Sequence, residues 1–242
     1  MAVSTPLRLG MVVPPENPNA EPELHRFLGS AMHLHVMRFP LTPGKGLREM
    51  LETYDEVLPQ VLANFGGLPL DAAVVSCSGS HYLLTPNGDR ELCARLSERM
   101  GIPVHSSTLA SLAALEALGV TKLNLVSPYE PWLTELSRRY WTDAGLEVGQ
   151  VVSVRAGGRH APYRVTTAEI VARLRAEDPD PTVPLLFTGT GMATAAALEE
   201  SVRDGRGVLL TSNLASAWWA LRVTGAPADG DPLLARLARA AA

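Results

Sequence analysis

Short apolar runs alternate with amphipathic segments along most of this 242-residue chain, and this alternation constrains the fold more than any other feature. Each run is apolar throughout rather than at every second position, which is typical of a strand covered on both faces of a parallel sheet. Because parallel strands need a crossover between them, the pattern predicts an α/β fold with right-handed crossovers. The predicted strands are residues 7–13, 71–77, 102–107, 122–127, 183–189 and 207–212.

The segments between these strands carry apolar residues at helical spacing and mostly polar residues on the opposite face. They supply the crossovers that a parallel sheet requires, and one further segment of this kind follows the last strand. The predicted helices are residues 47–65, 88–100, 108–118, 130–144, 167–177 and 214–224.

The chain also contains a faint internal repeat. In each half a strand ends in a proline-containing loop, VVPPENP at 12–18 and VSPYEP at 126–131. At a similar interval after each, a second strand ends in a loop of small residues, SCSGS at 76–80 and TGTGM at 188–192. Ligands of parallel α/β sheets bind beyond the carboxyl ends of the strands, where all four loops are expected.

This repeat predicts two pseudo-symmetric α/β lobes, each a parallel sheet flanked by helices, with the active site between them. The expected boundaries are 1–115 for the first lobe and 116–213 for the second. Residues 214–242 are expected to form a C-terminal helix that packs back on the first lobe, followed by a tail. A single ordinary sheet with glycine-rich turns is the alternative.

The charge and cysteine content exclude several classes of protein. A net charge of −4 and a pI near 5.9, without a block of Lys or Arg, argue against nucleic acid or an anionic membrane as partner. The two cysteines, Cys77 and Cys93, form neither a disulfide framework nor a metal-binding spacing. Because no apolar run reaches the length of a secretory signal or a membrane span, we expect a cytoplasmic protein.

Five segments together resemble the aspartate/glutamate racemase superfamily, in particular the branch of maleate cis–trans isomerase and arylmalonate decarboxylase. The resemblance implies two pseudo-symmetric lobes, a buried site between them, and proton chemistry without a cofactor. It also implies a small mono- or dicarboxylate as the substrate. The five segments are residues 10–24, the loop at Cys77, and residues 119–136, 185–194 and 209–225.

The resemblance assigns roles to individual residues. Asn17 matches the asparagine that holds a substrate carboxylate, and Tyr129 matches a tyrosine that donates a hydrogen bond to the substrate. Cys77 is expected to be the first catalytic cysteine, although another alignment places Gly79 at that position. An inert thiol at the end of a buried strand is the alternative for Cys77. Cys93 lies on an apolar helical stripe and is expected in the core.

The two loops of small residues are expected to contact the substrate through hydroxyl and backbone N–H groups, which would cradle a carboxylate or an enediolate. Two histidines are added to this set: one follows the first loop, and the other lies in a glycine-marked loop. The expected substrate-binding residues besides Asn17 are Ser78, Gly79, Ser80, His81, His160, Thr188, Gly189, Thr190 and Gly191.

The second half departs from the family pattern at one position. Where the isomerases and racemases have Ser-Cys-Thr-Gly, this chain has Thr-Gly-Thr-Gly at 188–191, so Gly189 replaces the second catalytic cysteine. Racemisation by two bases needs an acid–base group on each face of the substrate. With Cys77 as the single thiol, proton delivery to one face is expected.

Two functions remain open at this point. One is a cofactor-independent isomerase or decarboxylase whose catalytic residues are Cys77 and Tyr129. The other is a non-catalytic relative that binds a small carboxylate, because Gly189 has removed half of the machinery. No metal is expected in either case, and self-association into a homo-oligomer is left open.

Overall fold

The computed structural model describes residues 6–154 and 162–242. It contains two four-stranded sheets, both parallel throughout. The elements of the first lobe are β1 (Leu7–Val13), α1 (Ala20–Leu28), β2 (Met32–Arg38), α2 (Leu47–Ala63), β3 (Ala72–Val75), α3 (Ser78–His81), α4 (Pro86–Met100), β4 (Val104–Ser106) and α5 (Ser107–Ala117).

The second lobe repeats this arrangement and is followed by two C-terminal helices. Its elements are β5 (Lys122–Ser127), α6 (Pro131–Asp143), β6 (Glu147–Ser153), the 3₁₀ turn Pro162–Arg164, α7 (Thr167–Glu177), β7 (Leu185–Phe187), α8 (Ala195–Arg203), β8 (Leu209–Thr211), α9 (Ser212–Thr224) and α10 (Pro232–Ala240).

The two sheets have the same topology. The strand order is β2-β1-β3-β4 in the first and β6-β5-β7-β8 in the second. The central strands are buried on both faces, as all four residues of β3 and all three residues of β7 illustrate. The expected parallel α/β fold with two related lobes is therefore confirmed, and the loops of interest leave the carboxyl ends of β1, β3, β5 and β7.

Strands β2 and β6, each at one edge of its sheet, were not predicted from the sequence, whereas the opposite edge strands β4 and β8 were. Most residues of β2 and β6 are exposed or half-buried, so neither strand reads as a continuous apolar run. Helices α1, α8 and α10 were also missed, and the four-residue α3 stands where a loop was expected. The tail expected after residue 224 thus contains a helix, which Asp231 caps by accepting from the N–H of Leu233 at 2.8 Å.

Helix α9 joins the two lobes. It follows the last strand of the second sheet but packs against α5 and α1 of the first lobe. Ser107 at the start of α5 and Ser212 at the start of α9 both contact the hydroxyl group of Ser78, at 2.9 and 3.3 Å. These contacts hold the carboxyl ends of the two sheets beside each other.

A buried carboxylate fastens helix α1 to the second lobe. Glu23 accepts hydrogen bonds from the N–H groups of Thr194 and Ala195, at 2.6 and 2.7 Å, where α8 begins. The hydroxyl of Thr194 and the amide of Asn213 donate to its other oxygen, at 2.8 and 2.7 Å. A negative charge at a helix N-terminus is stabilised by the helix dipole as well as by the N–H groups.

A second buried carboxylate fastens helix α6 to the first lobe. Asp89, in the first turn of α4, accepts from the hydroxyl of Tyr140 at 2.8 Å. Ser106 and Thr108 donate to the same oxygen at 2.8 and 2.6 Å. Two buried acids of the first lobe, Glu23 and Asp89, therefore bind groups of the second lobe.

Within the described residues, no helix is both long and apolar enough to span a bilayer.

Candidate active site

A cavity of about 380 Å³ lies between the lobes, at the carboxyl ends of the central strands. Both lobes supply its wall. The loop after β3 contributes Cys77, Ser78 and Gly79, and the loop after β7 contributes Gly189, Thr190 and Gly191. The other lining residues are Pro14, Glu16, Leu47, Met50, Leu51, Tyr54, Tyr129, Glu130, Leu133, Pro162 and Tyr163.

Cys77 lies where strand β3 ends and α3 begins, and its thiol is free and buried. Burial raises the pKa of this thiol to about 11. Hydrogen bonds from the N–H groups of Ser80 and Gly79 and from the side chain of Ser80 lower this pKa, whereas the charge of Asp55 raises it. Because burial dominates, the resting thiol carries its proton at neutral pH.

Three tyrosines line the cavity around this thiol. Burial is the largest cause that raises the pKa of Tyr54, Tyr129 and Tyr163, and the electrostatic influence of Cys77 adds to it in each case. All three hydroxyl groups therefore stay protonated and can donate hydrogen bonds to an oxygen atom in the cavity.

The ring of Tyr129 occupies the space that a side chain at position 189 would need. A Cβ atom built on Gly189 would lie 2.5 Å from the hydroxyl oxygen of Tyr129 and 3.0 Å from its Cζ. The φ of Gly189 is +88°, in the left-handed region that favours glycine. The missing thiol of the second lobe is thus replaced by a phenol that reaches in from the loop after β5.

A similar close approach holds the 3₁₀ turn against the cavity. A Cβ on Gly191 would lie 2.5 Å from Cδ1 of Tyr163. The backbone carbonyl of Gly191 also accepts a hydrogen bond from the amide of Asn19 at 2.6 Å. Glycine at this position lets the ring of Tyr163 lie flat over the loop after β7.

A family model described as arylmalonate decarboxylase matches residues 9–233, which include the whole cavity wall. The chain belongs to the arylmalonate decarboxylase family. The expected resemblance is confirmed. The match extends along most of the chain and includes every loop of the cavity wall.

The similar proteins include both an arylmalonate decarboxylase and a maleate isomerase, the two activities of the expected branch. The arylmalonate decarboxylase of Bordetella bronchiseptica is 29% identical over 247 residues, covering 97% of this chain and 97% of that protein. The maleate isomerase of Geobacillus stearothermophilus is 28% identical over 194 residues, covering 73% and 76%. The homologues are thus enzymes of the isomerase and decarboxylase type that act on small carboxylates.

Solved structures share the fold. A mutant of the maleate cis–trans isomerase of Nocardia farcinica, with a covalently bound succinylcysteine intermediate, matches with a TM-score of 0.81. Its identity to this chain is 20%, and the match covers 96% of this chain and 99% of that one. At this identity the likeness shows the fold alone.

Cys77, Tyr129 and Gly189 meet at the cavity of this family member, although they are far apart in the chain. Asn17 does not line the cavity but contacts Thr190, which does. Its amide nitrogen donates to Thr190 Oγ1 at 3.0 Å, and its amide oxygen accepts from the N–H of Ala20 at 3.0 Å, at the start of α1.

Three other residues of the expected substrate-binding set also lie outside the cavity wall. Thr188 donates to the carbonyl oxygen of Val126 at 3.1 Å, and Ser80 donates to the carbonyl oxygen of Cys77 at 3.2 Å. His81 is fully buried beside the same carbonyl. His160 lies outside the described residues. Substrate contacts at these positions stay predictions.

The sequence analysis missed part of the cavity. Glu16 and Glu130 lie next to prolines, Pro15 and Pro131, in the two repeated loops. The repeat could therefore have indicated both residues. Tyr54 and the aliphatic wall of Leu51 and Leu133 come from helices α2 and α6, where an apolar stripe facing a cavity looks the same as one facing the core.

The charged side chains among the described lining residues of the cavity are both carboxylates. Glu16 is exposed and Glu130 is half-buried, and among the described lining residues there is no Lys, Arg or His. Across residues 6–154 and 162–242, no three His, Cys, Asp or Glu side chains are grouped to hold a metal ion. The described part of this cavity therefore offers hydrogen-bond donors and no cationic side chain.

Proposed function

We propose that this protein is a cofactor-independent decarboxylase of a small substituted malonate, and that Cys77 supplies the proton that replaces the lost carboxylate. One C–C bond breaks and releases CO₂, and its electron pair stays on the substrate as an enediolate. The proton of the Cys77 thiol then forms the new C–H bond, which leaves a thiolate. Because the electron pair is held by the remaining carboxylate, the reaction needs no redox or electrophilic cofactor.

The observation that carries this proposal is a buried, protonated thiol in the wall of the cavity. Burial raises the pKa of Cys77 to about 11, so at neutral pH the sulfur is a proton donor and only rarely a nucleophile. An isomerase that adds sulfur to an alkene needs the thiolate. The N–H groups of Gly79 and Ser80 favour the thiolate that forms after the proton has left, which assists the transfer.

The proposed seat of the departing carboxylate is the apolar wall of Leu51, Leu133 and Met50. An ionised carboxylate there loses its hydration and gains no cation from the described lining residues, whereas CO₂ is neutral and needs neither. The negative charges of Glu16 and Glu130 act in the same direction, because repulsion of a dianion falls when one carboxylate leaves.

The proposed seat of the retained carboxylate is the side of the cavity rich in donors. The hydroxyl groups of Tyr54, Tyr129 and Tyr163 line it, and burial keeps them protonated. As negative charge builds up on the enediolate, these hydrogen bonds strengthen, which stabilises the transition state more than the bound substrate.

Two alternatives have support of their own. Maleate isomerisation is supported by the relative from Geobacillus stearothermophilus. Binding without turnover is supported by Gly189, which lacks the second thiol. Both alternatives keep the same cavity and differ in what happens at Cys77.

The test is to incubate the purified chain with a series of alkyl- and arylmalonates and with maleate. Products are followed by NMR in D₂O and CO₂ release is measured separately. Decarboxylation with a single deuteron at the α-carbon is expected, together with loss of the reaction in Cys77→Ala. Conversion of maleate to fumarate with a succinyl adduct on Cys77, seen by mass spectrometry, would overturn the proposal. Saturable binding of these compounds without any product would establish the non-catalytic alternative.

A further inference from the structure

Three serine hydroxyl groups meet at the wall of the cavity, and the proposed chemistry uses none of them. Ser78 lines the cavity directly after Cys77 and is buried. Its Oγ lies 2.9 Å from Oγ of Ser107 and 3.3 Å from Oγ of Ser212, and both of these residues are buried as well. Because water has little access to these groups, their hydrogen bonds depend on one another and on what fills the cavity.

The starts of two helices hold the outer serines in place. Ser107 begins α5 after strand β4, and Ser212 begins α9 after strand β8, which is the equivalent strand of the second sheet. The residue before each serine caps its helix, because its hydroxyl accepts a backbone N–H at 3.0 Å. A capped first turn keeps each serine at a fixed distance from Ser78.

The number of hydrogens assigns the direction of the two contacts. A hydroxyl group has one hydrogen to donate and two lone pairs that accept. In the longer contact Ser78 donates to Ser212, so the hydrogen of Ser78 is in use. In the shorter contact either oxygen could donate, and Ser107 is therefore the donor. In the resting protein the hydrogen bonds run from Ser107 to Ser78 and from Ser78 to Ser212.

A carboxylate in the cavity changes only the second of these bonds. The contact from Ser78 to Ser212 is long at 3.3 Å and joins neutral groups, so it is weaker than a hydrogen bond to a charged oxygen. The hydrogen of Ser78 can turn about the C–O bond from Ser212 to the substrate, while the oxygen of Ser78 still accepts from Ser107. A hydroxyl that accepts one hydrogen bond is polarised and donates the next one more strongly.

We propose that Ser107 is a positioning residue for the decarboxylation: its hydroxyl donates to Ser78, which leaves the single hydrogen of Ser78 for the retained carboxylate. This inference rests on the proposed function and on the substrate contact expected of Ser78. Ser107 does not line the cavity and acts through Ser78. As negative charge moves onto the enediolate, the hydrogen bond from Ser78 strengthens, so loss of Ser107 lowers kcat more than it raises KM. Ser212 acts in the opposite sense, because it competes with the substrate for the hydrogen of Ser78.

Steady-state kinetics test this role, with the malonate that the wild type decarboxylates. Ser107→Ala should lower kcat about tenfold and raise KM at most about threefold, the scale of one hydrogen bond. In the Ser78→Ala background the same substitution should cost less than about twofold, because the group through which Ser107 acts is gone.

Ser111→Ala is the matched control for these kinetics. Ser111 lies one turn further along α5, and its hydroxyl donates to the backbone carbonyl of Ser107 at 2.7 Å rather than to Ser78. Its kcat should stay within about twofold of the wild type, since a backbone contact on this helix does not orient Ser78. An equal fall of kcat in Ser111→Ala, or an equal effect of Ser107→Ala with and without the Ser78 hydroxyl, would mean that Ser107 acts only on the fold. An unchanged kcat in Ser107→Ala would remove the residue from the mechanism.

A second measurement does not depend on turnover. The nitronate of phenylnitromethane is a planar anion with its charge on two oxygen atoms, like the enediolate, and its binding is followed by titration calorimetry in the Cys77→Ala protein, which lacks the thiol that could protonate it. Ser107→Ala should weaken this binding about tenfold, whereas Ser212→Ala should tighten it up to about threefold. Weaker binding in both variants would overturn the direction assigned to the hydrogen bonds, and unchanged binding in Ser107→Ala would overturn the positioning role.

The two measurements separate this inference from the proposed function. Opposite shifts of nitronate affinity in a protein that decarboxylates no malonate would refute the proposed function and leave the orientation of Ser78 by Ser107 standing. Decarboxylation by the wild type, with kcat unchanged in Ser107→Ala, would refute the role of Ser107 alone.

Discussion

The two lobes have the same strand order and differ most where their third strands end. After β3 the chain turns at once into the short helix α3, whose N–H groups face the thiol of Cys77. After β7 it continues as an extended loop through Gly189, whose φ is +88°. A repeated fold therefore provides two equivalent positions, and in this chain only one of them holds a thiol.

The position across from the thiol is filled rather than empty. The hydroxyl oxygen of Tyr129 lies only 2.5 Å from the position of a Cβ built on Gly189. The contacts between the lobes, in contrast, keep their symmetry, because Glu23 of α1 reaches α8 and Tyr140 of α6 reaches α4. The two lobes thus share their fold and their mutual contacts but differ in the residues that they present to the cavity.

The largest effect is expected from the thiol of the first lobe. Cys77→Ser should lower kcat at least ~100-fold, the scale of a lost acid–base group. Cys93→Ser is the matched control, because this buried thiol contacts Asp89 and not the cavity. Steady-state kinetics of malonate decarboxylation measure both. Equal activity of wild type and Cys77→Ser would transfer the role of proton donor to Tyr129.

The next effect concerns the two carboxylate contacts between the lobes. Glu23→Gln turns an acceptor of four hydrogen bonds into an amide whose NH₂ group faces donors, and should lower the free energy of unfolding by about 3 kcal/mol. Tyr140→Phe removes one of three donors to the same oxygen of Asp89 and should cost about 1.5 kcal/mol. Urea unfolding measures both losses. A larger loss in Tyr140→Phe than in Glu23→Gln would show that the contacts of Asp89 contribute more to the interface between the lobes.

A smaller effect is expected from placing a thiol in the second lobe. Gly189→Cys should destabilise the fold by about 2 kcal/mol, because a side chain at this φ is strained and meets Tyr129. It should not introduce racemisation of the product. Adding Tyr129→Ala removes the contact but not the strain, so part of the stability should return. Full stability of the single variant, by thermal melting, would mean that the ring of Tyr129 moves freely.

The smallest effect is expected in the pH dependence of the rate at which Cys77 is alkylated. Alkylation of Cys77 in the Cys93→Ser protein should rise about tenfold for each pH unit above 7 until pH approaches 11, since the thiolate is the reactive form. Burial raises the thiol pKa, so the thiolate forms only at higher pH than in an exposed cysteine. A plateau below pH 9 would reveal an activated thiolate and favour addition to an alkene, as in an isomerase.

Much of the fold was readable from the sequence because the central strands are buried on both faces. Strands β1 and β5 were predicted with their observed bounds, Leu7–Val13 and Lys122–Ser127. The edge strand β2 was not, since its residues alternate irregularly between exposed and half-buried. The local pattern of apolar residues records burial, which β2 mostly lacks and which the opposite edge strand β4 retains at two of its three residues.

The loops that meet at the cavity can be identified from the sequence, because strand ends in a parallel sheet lie at one edge and each loop follows a strand that was predicted. Which side chains line the cavity depends on contacts between the lobes that no local pattern records. Asn17 binds Thr190 behind the wall, and Tyr129 fills the room left by Gly189. The charge of Asp55, on a helix that looked like ordinary packing, raises the pKa of the Cys77 thiol. Such contacts join residues distant in the chain, and their geometry depends on how the helices pack rather than on any local pattern.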